Sequence, residues 1–140
     1  MSDTLQTHLE AGILTLTFNR PQKKNAFTGE MYDAAAQALL AADTNDAVRV
    51  VVLTGAGGAF TAGNDLKDFL EHPPQGEDSP VFRFLRALAH HTRPVLAGVD
   101  GVAVGIGTTL LLHCDYVAAS ARTVFSLPFI NLGLSPEGAS

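Results

Sequence analysis

The stretch that decides the fold runs from Val48 to Leu66 and reads VRVVVLTGAGGAFTAGNDL. Its first part is a valine-rich run in which no polar residue interrupts the apolar residues 50–53 that follow Arg49. This pattern is typical of strands buried in a parallel sheet. Its second part is rich in glycine and leads into a short amphipathic segment, residues 65–72. In open α/β sheets, loops that follow such strands lie at the carboxyl ends of the strands, where ligands bind.

The residues that precede this stretch predict a β-β-α unit. Residues 13–18, ILTLTF, alternate as a strand does, and residues 8–10 are expected to pair with them as a hairpin through Ala11-Gly12. Thr28 then stands at the N-cap position of a helix. The apolar positions of this helix recur at helical spacing: Met31, Ala35, Leu39 and Ala42. A helix between two parallel-type strands predicts a right-handed crossover.

The residues that follow predict a further alternation of helices and strands. Residues 73–80, PPQGEDSP, are polar and rich in helix breakers, and a helix begins near Pro80 with Ser79 as its cap. The later elements are a buried strand in residues 93–101, a helix in residues 104–115, and short strands in residues 116–120 and 123–127. The order β-β-α-β-α-α-β-α-β-β predicts an α/β fold with a mainly parallel sheet.

Composition narrows the classes of protein to which the chain can belong. A chain of 140 residues with 9 basic and 14 acidic side chains carries a net charge of −5. It contains no basic run, which argues against a nucleic-acid partner. Its single cysteine, Cys114, lies in an apolar run and is expected to be a buried structural thiol. Without a signal pattern at the N-terminus or an apolar stretch of about 18 residues, we expect a soluble cytoplasmic protein with no membrane partner.

Two glycine-rich turns, residues 60–66 and 101–107, each follow a predicted buried strand. The second turn contains Gly-x-Gly, but Leu110 replaces the third glycine of a dinucleotide fingerprint, and the chain has no Gly-Lys-Ser/Thr phosphate loop. Two strand ends that each present a backbone N–H, one of them at a helix N-terminus, can instead form an oxyanion hole. The alternative is that the glycines serve only close packing of helix on strand, and spacing alone leaves both interpretations open.

Four blocks of the sequence resemble, in order and spacing, the enoyl-CoA hydratase/isomerase (crotonase) superfamily. These blocks are NRPQKKNAF (19–27), VVVLTGAGGAFTAGNDLKDF (50–69), PVLAGVDGVAVGIGTTLLLHCDYVAAS (94–120) and TVFSLPFINLGLSPEGAS (123–140). The resemblance runs from about Ile13 to Ser140 and implies an α/β, crotonase-like (ClpP/crotonase) fold of repeated β-β-α units. Residues 1–140 would form one acyl-CoA-binding domain, truncated at its C-terminus, that lacks the family's C-terminal helical region.

The resemblance also implies where an acyl-CoA thioester would bind. The backbone N–H groups of Asn64 and Ile106 correspond to the two donors that hold the thioester oxygen. The positions that would contact CoA or substrate are Lys24, Ala26, Ala62, Gly63, Asp65, Leu66, Lys67 and Gly105. Asp65 is alternatively a helix cap, and the lysines are alternatively solvated surface groups. No cofactor is implied because coenzyme A is part of the substrate, and the histidines lack ligand spacing for a metal.

The acid and base residues distinguish the reactions of this superfamily. Hydratases use two glutamates, and Thr109 and Phe129 occupy those positions here, which disfavours hydration. Glu137, in LGLSPEG (132–138), corresponds to the single catalytic glutamate of the peroxisomal-type Δ3,Δ2-enoyl-CoA isomerases. The resemblance therefore implies an isomerase that moves a cis- or trans-3 double bond to trans-2 and assembles as a homo-oligomer, a trimer or hexamer. The alternatives are another reaction of the fold (hydration, thioester hydrolysis or decarboxylation) and a non-catalytic acyl-CoA-binding module.

Overall fold

The computed structural model describes residues 3–127. Its strands are β1 (Leu5–Glu10), β2 (Ile13–Phe18), β3 (Val50–Gly55), β4 (Val95–Val99), β5 (Val102–Val104), β6 (Tyr116–Ala119) and β7 (Val124–Ser126). Its α-helices are α1 (Gly29–Asp43), α2 (Leu66–Glu71), α3 (Pro80–Ala89) and α4 (Ile106–Thr109), and short 3-10 helices lie at Pro21–Lys23 and Leu110–His113. None of the helices within residues 3–127 has the length and apolar character needed to cross a membrane.

The larger sheet has five strands in the order β1-β2-β3-β4-β6. Strand β1 is antiparallel to β2, and every later neighbour in this sheet is parallel. The turn between β1 and β2 has positive φ at both central residues, 52° at Ala11 and 83° at Gly12, which matches the twist of a two-residue hairpin. The hairpin, the parallel pairing of β2 with β3 and the mainly parallel α/β arrangement are therefore confirmed. Strands β5 and β7 form a separate parallel pair.

Helices α1 and α3 pack together beside the sheet and cover its apolar residues. Helix α1 is capped as predicted, since the Thr28 side chain accepts a hydrogen bond from the Met31 N–H at 3.3 Å. The predicted apolar face of α1 is buried at Met31, Ala35, Leu39 and Ala42, and α3 buries Val81, Phe84, Leu85 and Leu88. Full burial of one such large side chain stabilises the fold by about 1.5–3 kcal/mol.

The predicted helix over residues 104–115 is wrong in its bounds. Residues 102–104 form β5, and the helix that follows is a four-residue α4 continued by a 3-10 turn. Gly105 has φ 59° and ψ −122°, a backbone conformation that cannot belong to a right-handed helix and therefore separates strand from helix. The β-branched residues before it pair with β7, far along the chain, so the local pattern did not reveal this strand.

Cys114 and helix α2 are less buried than the core elements. Cys114 is half-buried rather than buried as predicted, and desolvation of its thiol, with a contribution from Asp115, raises the pKa of the thiol to about 12. Such a group is protonated at neutral pH and is a poor nucleophile. Phe60 is fully buried, whereas Leu66 and Leu70 in α2 are 53 % and 77 % exposed. Of the apolar side chains in the amphipathic segment 65–72, only Phe69 is half-buried among the described residues.

Candidate active site

The two glycine turns lie directly against each other. We call residues 60–65 the first turn and residues 104–107 the second turn. A Cβ atom on Gly63 would lie 2.6 Å from the Val104 carbonyl oxygen, and one on Gly107 would lie 2.6 Å from Thr61 Cγ2 and 2.8 Å from its carbonyl oxygen. Contacts this close are possible only without a side chain. The glycines therefore do serve close packing, and this packing also brings the two candidate donor residues into adjacent turns.

Asn64, the candidate donor of the first turn, is bridged to the segment before α1. The Phe27 N–H donates to the Gly63 carbonyl at 2.7 Å, and the Asp65 N–H donates to the Phe27 carbonyl at 2.8 Å. These bonds use the Gly63 carbonyl and the Asp65 N–H, which belong to the two peptide groups that flank Asn64. The bridge to Phe27 therefore fixes both peptide planes and does not involve the Asn64 N–H. The Asn64 side chain is held as well, because the Tyr32 hydroxyl donates to Asn64 Oδ1.

Ile106, the candidate donor of the second turn, is the first residue of α4. The N–H groups in the first turn of a helix have no acceptor within the helix and carry partial positive charge. Within residues 3–127, the Ile106 N–H has no hydrogen-bond acceptor. The preceding residue is fixed from outside the turn, because the Gly105 N–H donates to the Ser126 carbonyl in β7 at 2.8 Å.

Buried polar groups brace the first turn from behind. Asn25 is fully buried, and its Nδ2 donates to the carbonyls of Ala56 and Ala59, both at 2.9 Å. Its Oδ1 accepts from the Arg20 N–H at 2.7 Å. Its carbonyl oxygen accepts from Thr61 Oγ1, also at 2.7 Å. The NRPQKKNAF segment that carries part of the family resemblance is thus the frame on which the first turn rests.

Asp65 holds the far end of the first turn. Its Oδ1 accepts from the Asp68 N–H at 2.9 Å and caps α2, while its Oδ2 pairs with Arg20 Nη1 at 2.8 Å. Both side chains of this ion pair are largely buried, at 14 % and 17 % exposure. The Asp68 N–H and the Arg20 guanidinium lower the pKa of Asp65 below its ordinary value against the cost of burial. The prediction that Asp65 caps the helix is confirmed.

The other positions implied for CoA or substrate lie on the same edge of the fold. The Lys24 carbonyl accepts from the Ala62 N–H at 2.9 Å, which joins the lysine loop to the first turn. The side chains of Lys24 and Lys67 are exposed, and Leu66 is more than half exposed. Ala26, Gly63 and Gly105 are buried and contribute backbone rather than side chains. The structure brings these positions together, and their role in binding stays a prediction.

A cleft of about 320 Å³ opens beside Asn64, between the start of α1, α2 and the start of α3. This volume is at the lower end of the range for small-molecule sites. Its walls include Phe27, Tyr32, Asn64, Phe69 and Val81, and the remaining lining consists of three prolines, Gly29, Ser79, three carboxylates and His72. The cleft therefore combines apolar walls with the candidate oxyanion donor at one side.

The acid and base positions are only partly within the described residues. Glu137 and Phe129 lie outside residues 3–127. Thr109, at the position implied for a hydratase glutamate, is 1 % exposed, and its hydroxyl has no hydrogen-bond partner among the described residues. Tyr32 was missed at the sequence level: it stands beside Met31 in α1, and no local signal links it to Asn64, 32 residues away.

Comparison with known proteins gives a consistent result. Residues 8–140 match the profile of the family described as Enoyl-CoA hydratase/isomerase. Enoyl-CoA delta isomerase 2 of Homo sapiens is 42 % identical over 99 % of this chain and 36 % of its own length. The 1,2-epoxyphenylacetyl-CoA isomerase of Escherichia coli (strain K12) is 39 % identical over 98 % of this chain and 55 % of its own. The structure of Pseudomonas aeruginosa OdaA has a TM-score of 0.95 and 52 % identity, covering 98 % of this chain and 56 % of that one.

The chain therefore spans between 36 % and 56 % of the length of these three relatives. The likeness covers both glycine turns and the frame behind them, and it confirms the crotonase-like fold. The names of the first two relatives identify isomerases that act on CoA thioesters, by two different reactions. On this basis, the chain belongs to the enoyl-CoA hydratase/isomerase family.

Proposed function

We propose that this chain carries the oxyanion hole of a Δ3,Δ2-enoyl-CoA isomerase that acts on fatty acyl-CoA. The observation that supports this most directly is the backbone contact between the two glycine turns, which places Asn64 and Ile106 in adjacent turns, with Asn64 at the edge of a cleft. The presence of Thr109 where a hydratase glutamate is implied favours isomerisation over hydration. The identity to an enoyl-CoA delta isomerase over nearly the whole chain adds support.

In this proposal the thioester oxygen accepts from the N–H groups of Asn64 and Ile106. The acyl chain enters the cleft, whose apolar walls suit an alkyl group, and CoA extends along the exposed edge. The implied contacts are Lys24, Ala26, Ala62, Gly63, Leu66, Lys67 and Gly105. Asp65 would act indirectly, since both of its carboxylate oxygens are already engaged by Asp68 and Arg20.

Glu137 is the proposed base. Its carboxylate removes a proton from C2 of a 3-enoyl-CoA, and the electron pair of the broken C–H bond delocalises into a dienolate. The negative charge on the thioester oxygen is stabilised by the two backbone donors. The protonated Glu137 then gives the same proton to C4, so the double bond moves from C3–C4 to C2–C3. Because the proton that is removed is returned and no electrons are transferred, this reaction needs no metal or redox cofactor.

The test uses the 140-residue chain, a 3-enoyl-CoA and the ultraviolet absorbance of the conjugated product. The variant Glu137→Gln should reduce kcat by about a hundredfold or more, which is the scale expected for a general base. Glu10→Gln is the matched control, since Glu10 is an exposed side chain on the β1 edge strand, and should leave the rate unchanged. Absence of any conversion by the native chain, or equal rates for Glu137→Gln and native protein, would contradict the proposal.

A second reaction on the same oxyanion hole is the main alternative, because a 1,2-epoxyphenylacetyl-CoA isomerase is nearly as similar as the enoyl-CoA isomerase. Analysis of products separates the alternatives: thioester hydrolysis releases free CoA, decarboxylation releases CO2, and hydration gives a 3-hydroxyacyl-CoA. Binding of a saturated acyl-CoA without any turnover would instead favour a non-catalytic binding module. We also propose a trimeric or hexameric assembly, for which sedimentation velocity is the direct test.

A further inference from the structure

We propose that Tyr32 is a positioning residue that holds Asn64 in the orientation in which its backbone N–H serves the oxyanion hole. The proposal rests on the oxyanion role given to Asn64 above and adds a residue that neither the family pattern nor the sequence indicated. It starts from one contact, the hydrogen bond that the Tyr32 hydroxyl donates to Asn64 Oδ1. Both residues line the same cleft.

The position of the Tyr32 hydroxyl is set by packing. Tyr32 is 4 % exposed and lies in the first turns of α1, where its N–H donates to the Thr28 carbonyl at 3.1 Å. Its ring contacts Phe27 at a centroid distance of 4.9 Å and Phe84 at 5.6 Å. A ring held between two aromatic neighbours has little rotational freedom, so its hydroxyl presents a fixed donor to the cleft.

Asn64 is thereby attached to one short segment at two points. Its backbone is bridged to Phe27, and its side chain is bonded to Tyr32, five residues further along. A third tie joins the same region, because the Gly29 N–H donates to Asp68 Oδ2 at 2.9 Å. Phe27 and Tyr32 also contact each other, so these ties connect the segment 27–32 to the first turn at several points.

The amide oxygen of Asn64 would otherwise work against the site. An asparagine side chain can bond to nearby backbone N–H groups, and it would then compete with the thioester oxygen for the donor. An amide oxygen turned toward a developing oxyanion would also repel it. The Tyr32 hydroxyl holds Asn64 Oδ1 on the α1 side, which keeps this oxygen away from the thioester oxygen. The contact therefore stabilises the negatively charged enolate of the ligand more than the neutral thioester.

The variant Tyr32→Phe removes the hydroxyl and keeps the ring. We expect kcat for the 3-enoyl-CoA to fall about tenfold with KM changed less than about twofold, because the contact acts on developing charge; direct loss of one oxyanion donor costs more, about 10²–10³. Tyr116→Phe is the matched control, since the chain has two tyrosines and Tyr116 is 63 % exposed on β6. A larger KM with an unchanged kcat would overturn the proposal.

A double-mutant cycle tests whether Tyr32 acts through Asn64. Asn64→Ala removes the acceptor and retains the backbone N–H, so the double variant Tyr32→Phe/Asn64→Ala should be no slower than the slower single variant. If the two effects on kcat multiply instead, the residues act independently and the proposal is wrong. Asn64→Ala breaks the same bond from the other side, so it also serves if Tyr32→Phe does not fold.

A binding measurement keeps this inference separate from the proposed reaction. A β-ketoacyl-CoA forms an enolate with its own ultraviolet absorbance, and an oxyanion hole increases the enolate fraction of the bound ligand. Tyr32→Phe should reduce the bound enolate-to-ketone ratio about tenfold and leave affinity for a saturated acyl-CoA within about twofold. If this change in the ratio is observed but the native chain does not convert 3-enoyl-CoA, the proposed isomerase reaction is rejected and the positioning role of Tyr32 is retained. An unchanged ratio in Tyr32→Phe, or equal weakening of both ligands, would overturn it.

Discussion

The two glycine turns meet at one site, but they are held in different ways. The first turn is fixed by hydrogen bonds from side chains, above all those of Asn25, Asp65 and Tyr32. The second turn is fixed by close contacts at its glycines and by backbone hydrogen bonds, from the Val104 N–H to the Thr61 carbonyl and from the Gly105 N–H to β7. Side-chain hydrogen bonds can be removed one at a time, whereas a Cβ atom added to a closely packed glycine introduces the whole steric clash in one step. We therefore expect graded losses where a side-chain hydrogen bond to the first turn is removed, and abrupt losses where a Cβ is added at the contact between the turns, at Gly63 or Gly107.

The largest effect is expected at the contact between the turns. In Gly107→Ala the new Cβ would lie 2.6 Å from Thr61 Cγ2 and 2.8 Å from the Thr61 carbonyl oxygen. The turns must separate, at a cost of roughly 3 kcal/mol or more in the free energy of unfolding, and the activity should be lost with it. Gly98→Ala is the control, because the nearest atom to its new Cβ is 3.9 Å away. Urea unfolding that gives equal stabilities for these two variants would refute the steric account.

A smaller effect is expected where the first turn rests on Asn25. Asn25→Ala leaves the Arg20 N–H and two carbonyls without their partner, which should lower the free energy of unfolding by about 2 kcal/mol. The activity should fall but persist, because the bridge from Phe27 to the first turn remains. Asn45→Ala removes an exposed turn contact to the Ala47 N–H and serves as the control in the same urea titration. Complete loss of activity in a folded Asn25→Ala protein would contradict the graded response.

The smallest effect is expected at Asp65. The variant Asp65→Asn keeps the shape but weakens the pairing with Arg20, at a cost of about 1 kcal/mol at neutral pH. The pKa of Asp65 in the folded protein lies below its ordinary value of 3.8. The ionised side chain therefore contributes fully to the free energy of unfolding above pH 3.8, and this contribution is lost as the pH falls below 3.8 toward the lowered pKa. The stability difference between native protein and variant should therefore shrink from pH 7 to pH 3. The control is Asp46→Asn, an exposed position, and a difference that grows on acidification would oppose this assignment.

Most of the fold could be predicted from the sequence because its signals are local. The valine run of β3, the Thr28 cap of α1 and the Ala11-Gly12 hairpin each depend on neighbouring residues, and each was found where it was expected. Strand β5 was missed because its pairing partner, β7, lies about twenty residues further on and nothing within Val102–Val104 indicates it. The amphipathic segment 65–72 does contain a helix, α2, but Phe69 is the only one of its apolar side chains that is half-buried among the described residues.

The candidate site was predicted less completely than the fold. The adjacency of the turns that hold residues 64 and 106 follows from family resemblance together with the glycine pattern, and the contacts of Gly63 and Gly107 bear it out. The Tyr32 contact and the Arg20–Asp65 pair connect positions 32 and 45 residues apart. Such pairings arise from the packing of distant segments, which a single sequence does not reveal. The role of Glu137 stays a prediction.

The pairing of β5 with β7 also has a consequence for the order of folding. Strands β1 to β3 pair only with strands that end before residue 100, whereas Gly105 and Thr108 both donate to the Ser126 carbonyl. A loop of about twenty residues must close before that bond forms, and loop closure costs entropy that only later contacts offset. During synthesis the first four strands of the sheet can therefore pair while the second turn is still without its anchor. We expect the site to be the last part of this region to acquire its native geometry, and hydrogen exchange during refolding would record the Gly105 amide as late to be protected.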